Sequence, residues 1–186
     1  MISRLITPLQ FKDYFKIVVE ESERTISELW NKFPDYSRLM LGTYEKPGLL
    51  NEVAKKLNLQ STINYWSFDS IFYTELITEF FSDDYLYVNY ASVAIEHENV
   101  INYSHNEISK LSLLNCPLKV LITYPKKETD IETYLTHYAK IIKLADVFND
   151  FSSLRKQLII FGESFEDYHN KWSYYVYNGN EGFDEI

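Results

Sequence analysis

STINYWSFDSIFYTEL (residues 61–76), YLYVNYASVAIEHEN (85–99) and LKVLITYP (118–125) decide how this chain folds. The first two are crowded with β-branched and aromatic residues and carry no apolar stripe at helical spacing, so each reads as one strand. SDD at 82–84 interrupts them with a polar turn, which lets the second pair back on the first as a hairpin. LKVLITYP is a short, nearly continuous apolar run of the kind buried on both faces of a sheet. Between the last two strands, SHNEISKLSLLN (104–115) reads as a short helix. Ser104 followed three residues later by Glu107 has the spacing of a capping box.

Upstream, Phe11, Phe15, Val18, Val19, Ile26, Leu29, Trp30 and Phe33 recur at a 3.6-residue period, predicting one amphipathic helix over 11–33 that Pro34 and Asp35 end. KPGLLNEVAKKLNL (46–59) predicts a second, shorter helix. Downstream, IETYLTHYAKIIKLADVF (131–148) predicts a long helix with Ile131, Tyr134, Leu135, Tyr138, Ile141, Ile142 and Ala145 on its apolar face. QLIIFGES (157–164) and WSYYVY (172–177) are two further strand candidates. No internal repeat, low-complexity tract or Pro/Gly/Ser-rich linker divides the chain. The expected architecture is a single α/β domain over 1–186, a mixed sheet flanked by helices.

Composition agrees with a packed globule: 46% of the 186 residues are hydrophobic, and 16 Tyr and 12 Phe supply many core-forming rings. The lone Cys116, in the apolar context LNCPLKVL, excludes an intramolecular disulfide framework and a cysteine cluster for zinc. No signal-peptide-length apolar stretch opens the chain, and no run of about 18 apolar residues suits a membrane span, so a cytoplasmic protein is expected. His97, His105, His137 and His169 are scattered, without zinc-ligand spacing, and no phosphate loop or nucleophile elbow is present.

The net charge of −9 is unevenly placed. Residues 1–60 carry +1 and 116–186 carry −3, whereas 61–115 carry −7, with Lys110 the lone base in that middle stretch. The acidity therefore gathers on the predicted hairpin. Residues two apart on a strand share a face, so Glu96 and Glu98 project together while His97 joins Val93 and Ile95 on the other side. Like charges side by side on a buried strand need a cation or a raised pKa, and a hard, oxygen-ligated ion is the simplest compensation. Asp69, on the partner strand, can come within ligand reach of Glu96.

The acid in FDSIFY, the strand ending in Glu-x-Glu in VAIEHEN, then a helix and the buried strand LKVLITYP together resemble the PD-(D/E)XK nuclease-like, or restriction-endonuclease-like, core. The resemblance covers about residues 61–125, with flanking helices completing an αβββαβ arrangement. It implies Asp69 as the motif's aspartate, Glu96 as the second acid and Glu98 where lysine usually stands. Some restriction enzymes do use Glu-x-Glu. Lys110, in the following helix, is the candidate replacement for the lysine, and Glu23 the candidate for a further acid from the first helix. The implied activity is Mg²⁺-dependent hydrolysis of phosphodiester bonds in DNA, with Mn²⁺ as an alternative ion and Asp69, Glu96 and Glu98 as ligands. The alternative is an inactive protein of the same fold that binds or regulates through its acidic surface, its partner another protein or a second copy of the chain.

Overall fold

The first helix begins where its capping chemistry begins. In α1 (Pro8–Glu21), the Gln10 N–H donates to the Thr7 hydroxyl and the Thr7 N–H donates to the Gln10 side chain, with Pro8 where a missing N–H costs nothing. The helix stops at Ser22 and restarts as α2 (Glu23–Leu29), so the single helix expected over 11–33 is two. Val19 and Ile26 are two turns apart, and the apolar period therefore runs through the break unaltered. Asp35 opens α3 (Asp35–Leu41) rather than closing the preceding run, its carboxylate 3.0 Å from Arg38. The short helix expected next is α4 (Leu49–Lys56). In all, the computed structural model describes residues 5–30, 32–74, 88, 90–147, 155–163, 171–179 and 182–186.

Seven strands form one sheet in sequence order: β1 (Gln60–Tyr65), β2 (Phe68–Tyr73), β3 (Ala91–Glu98), β4 (Leu118–Thr123), β5 (Lys156–Glu163), β6 (Lys171–Tyr177) and β7 (Phe183–Glu185). β1, β2 and β3 are an antiparallel meander; β3, β4 and β5 run parallel; β6 and β7 return antiparallel. Parallel neighbours need crossovers, which α5 (Ser104–Leu113) and α6 (Asp130–Ala145) supply. The sheet is thus mixed and flanked by helices, and β4 is buried at all six positions.

Side-chain alternation gives the sheet a core on each face. Phe11, Phe15, Val18 and Ile26 from α1 and α2 pack with Phe72, Val93, Ile95, Val120, Ile122 and Ile160. On the opposite face, Ile108 and Leu111 of α5 and Tyr138, Ala139 and Ile142 of α6 pack with Ile71, Ala94, Leu121, Ile159 and Phe161. Among the described residues no helix is long and apolar enough to cross a membrane.

Three further expectations change. The single strand expected over 61–76 is, over its described residues 61–74, two strands, because Trp66 and Ser67 take positive φ values of 52° and 68° and turn the chain between Tyr65 and Phe68. That is the backbone of a two-residue hairpin, formed here without the usual Asn-Gly. Ser104 does not cap α5. Its hydroxyl donates to the Ile101 carbonyl at 2.5 Å and hydrogen-bonds the Tyr138 hydroxyl, tying the start of α5 to α6. Finally, β7 pairs with β6 although its sequence, FDE, carries no strand pattern. The SDD turn lies outside the described residues.

Candidate functional site

The β2–β3 register brings the two principal acids together. Ser70 pairs with Ile95 and Ile71 with Ala94, and one step further along the ladder Asp69 meets Glu96. The His97 N–H donates to Asp69 Oδ2 at 2.8 Å. Asp69 shares the face of Ile71 and Tyr73, while Glu96 and Glu98 share the face of Ala94, so all three acids lie on the α5 side of the sheet. His97 takes the other face with Val93 and Ile95, as the alternation predicts.

α5 then delivers a cation. Its buried Ile108 and Leu111 seat the helix on the sheet, which turns Lys110 toward the hairpin. Lys110 Nζ lies 2.8 Å from Glu96 Oε1 and 2.6 Å from Glu107 Oε2. It also donates to the Ser67 carbonyl at 2.9 Å and stands 5.6 Å from the centre of the Phe68 ring. Both are short contacts of the ammonium with a carboxyl oxygen, the one to Glu107 an i,i+3 pair within α5. Glu107, read from the sequence as a capping residue, is instead the carboxylate that holds the lysine. Its position one turn before Lys110 was the available signal.

Burial sets the electrostatics. Glu96 is only 1% exposed, and its carboxyl is pushed up to about 9, by burial first and by the charges of Asp69 and Glu107 after it, against the pull of Lys110. Burial also raises Asp69, although the His97 N–H, Lys110 and a hydrogen bond with Glu96 oppose the rise. The two facing acids therefore share a proton at neutral pH, as close carboxylate pairs do. Burial would lower Lys110, but Glu107 and then Glu96 outweigh it and the ammonium is held above its ordinary range. With Glu96 protonated, the charge of Lys110 rests chiefly on Glu107. Glu98 is raised by burial, and its Oε1 accepts the Val100 N–H at 2.7 Å.

This chain matches no family model, no curated protein and no solved structure. Its chemistry is therefore read from these side chains.

Two facing acids could serve as oxygen donors to a hard cation, which would compete with Lys110 for Glu96 Oε1. Among the described residues no three His, Cys, Asp or Glu side chains converge as a metal-binding group. Mg²⁺ commonly takes one or two protein carboxylates and completes its shell with water and phosphate oxygens, and Asp69 with Glu96 fit that pattern. Glu23 stands apart, lining a groove with Lys12, Lys16 and Trp172 on the α1 side of the sheet.

His97 serves the core. Tyr124 donates to the Tyr36 hydroxyl at 3.1 Å, so His97 Nε2–H must be the donor to Tyr124 at 2.7 Å. Burial holds its pKa down at about 3, and the imidazole stays neutral. Lys119 was hidden in the apolar run of β4. It is fully buried on the face of Glu96, between Ala94 and Gln157 on the neighbouring strands.

Proposed function

We propose that this chain is a Mg²⁺-dependent nuclease-like enzyme that hydrolyses phosphodiester bonds in DNA on a restriction-endonuclease-like αβββαβ core. The observation that carries this reading is the convergence of Asp69, Glu96 and Lys110, with Lys110 Nζ 2.8 Å from Glu96 Oε1 beside the acids' shared strand pairing. The order of elements supports it: a helix, the β1–β2–β3 meander, the α5 crossover and a parallel β4. The buried thiol of Cys116 suits a reducing, cytoplasmic setting.

Asp69 and Glu96 would hold the ion, which supplies Lewis-acid charge and lowers the pKa of a bound water. Mn²⁺, equally at home among oxygen donors, would substitute. Glu98 has its carboxyl raised toward the range of an effective general base and would take the proton of the attacking water. Lys110, about one-third exposed at its side chain, would set its ammonium against the charge that gathers on the phosphate oxygens. Water adds to phosphorus as its proton passes to Glu98, the bond to the sugar oxygen breaks, and that oxygen takes a proton from solvent water and leaves as a hydroxyl. Lys110 thereby stands for the lysine that Glu98 displaces from the motif.

One observation favours the alternative, an inactive binding module. Glu98 is already engaged by the Val100 N–H and is not the expected lysine. A cleavage assay on single- and double-stranded DNA with Mg²⁺ or Mn²⁺ separates the two. Hydrolysis by wild type, reduced at least about 100-fold in Glu96→Ala, is the expected result, the scale on which loss of one charge-handling group slows such reactions. Cleavage that Glu96→Ala leaves unchanged, or no cleavage by wild type with either ion, overturns the enzymatic reading.

A further inference from the structure

We infer that Trp66 is a stacking platform for an unpaired base, so that the DNA bound at this site is single-stranded where it crosses the β1–β2 hairpin; the inference rests on the hydrolytic reading above and names its substrate class. Trp66 is 81% exposed at the tip of that hairpin. The next residue, Ser67, supplies the carbonyl that holds Lys110, and the one after it, Phe68, lies under the same ammonium. The indole is therefore joined to the candidate site through two consecutive residues.

Its ring is also held in place. Tyr65 stacks on Trp66 with centroids 6.1 Å apart and planes 18° from parallel, and the Tyr65 hydroxyl accepts the Val88 N–H at 3.1 Å. One face of the indole is thus backed by a fixed ring, while its exposure leaves the rest to solvent. The backbone is strained to present it, since a bulky residue rarely adopts a φ of 52°. Asn or Gly would make the same turn without that cost, and a hairpin selected for stability alone has no use for tryptophan here.

Charge points to stacking as well. Duplex binders draw most of their affinity from phosphate neutralisation, yet residues 61–115 carry −7 with Lys110 their lone base. Base stacking on an aromatic ring works on every base and adds affinity that does not come from phosphate neutralisation, and a single strand requires less of that neutralisation than a duplex. A flat, exposed indole beside one ammonium can seat a base and its neighbouring phosphate together.

The test uses two substitutions. Trp66→Asn removes the ring and suits the turn, so it should melt at or above the wild-type temperature; Trp66→Phe keeps a ring. Binding of a fluorescein-labelled 15-mer of oligothymidine and of a 15-base-pair duplex is followed by anisotropy in EDTA, which stops cleavage. Wild type should prefer the single strand, Trp66→Asn should lose about 5- to 150-fold of that affinity, and Trp66→Phe should keep most of it. Addition of unlabelled oligothymidine should quench the tryptophan emission of wild type but not of Trp66→Phe, because Trp30 is buried and Trp172 partly so. Equal affinity of wild type and Trp66→Asn for the single strand overturns the inference, as does a preference for duplex or no DNA binding by wild type. Mg²⁺-dependent cleavage together with unchanged Trp66→Asn affinity would leave the hydrolytic reading standing alone. Trp66-dependent binding without cleavage would leave the stacking platform standing alone.

Discussion

Glu96→Gln is expected to make the protein more stable at pH 8.5 and, under the hydrolytic function proposed above, to abolish cleavage. The free carboxyl titrates near 4.5, whereas burial holds it near 9 in the folded chain. Below pH 4.5 both states carry the proton, so Glu96 places no penalty on folding there. Between the two values the unfolded chain releases its proton and the folded chain retains it, and stability falls as pH rises, at about 1.36 kcal/mol per unit for a single isolated group. Coupling to Asp69 and Lys110 spreads that penalty over several groups, leaving a difference of the order of several kcal/mol near pH 8.5. Glutamine has no proton to lose. Urea denaturation should place Glu96→Gln close to wild type at pH 5 and well above it at pH 8.5. Were Glu96 only the partner of a structural ion pair with Lys110, the variant would instead lose stability at both pH values, by about 3–5 kcal/mol for a broken buried pair. A buried acid that weakens the fold at neutral pH marks a candidate functional position, here the site of the proposed ion.

Phe72→Ala should have the opposite signature, an across-the-board loss of stability of about 3–5 kcal/mol at every pH. Phe72 is fully buried on the α1 face of β2, its ring centre 6.0 Å from that of Phe11. Removing it opens a cavity between α1 and the sheet. That loss is a large fraction of the total stability of an ordinary domain. Equilibrium denaturation checks it, with Leu113→Ala as the contrast: Leu113 is exposed on α5 and its truncation should change stability by no more than about 0.5 kcal/mol. The two faces of β2 thus divide their labour, Phe72 holding the helical layer and Asp69 facing Glu96.

The division was legible in the sequence because strand alternation is a strict period of two. Placing Asp69 on one strand and Glu96 on the next, with His97 turned away, needs only that parity and a hairpin, and both are present. The buried run of β4 and the apolar face of α6 were equally readable. What escaped notice has physical causes. The turn at Trp66 and Ser67 uses positive φ values in residues that rarely adopt them, so no Gly or Asn marked it. The break at Ser22 keeps the helical phase on either side and leaves hydrophobic periodicity blind to it. Ser104 and Glu107 have capping-box spacing, but a tertiary bond to Tyr138 and the pull of Lys110 outcompete that local pairing. Lys119 was masked by its apolar neighbours. A strained backbone at Trp66 and a tertiary bond at Ser104 overrode local patterns, and two of the missed features, the Trp66 turn and Glu107, lie beside the candidate site.

Under the proposed function, Asp69 and Glu96 exchange their shared proton for a divalent ion. Calorimetric titration of Mg²⁺ into the metal-free protein, repeated in buffers of different ionisation enthalpy between pH 6.5 and 8.5, tests it most directly. The expected result is a site whose filling releases a proton, whose apparent affinity rises by up to about tenfold per pH unit below about 9, and which is lost in both Asp69→Asn and Glu96→Gln. Mg²⁺ binding that is independent of pH, that survives Glu96→Gln, or that does not occur in wild type would contradict it.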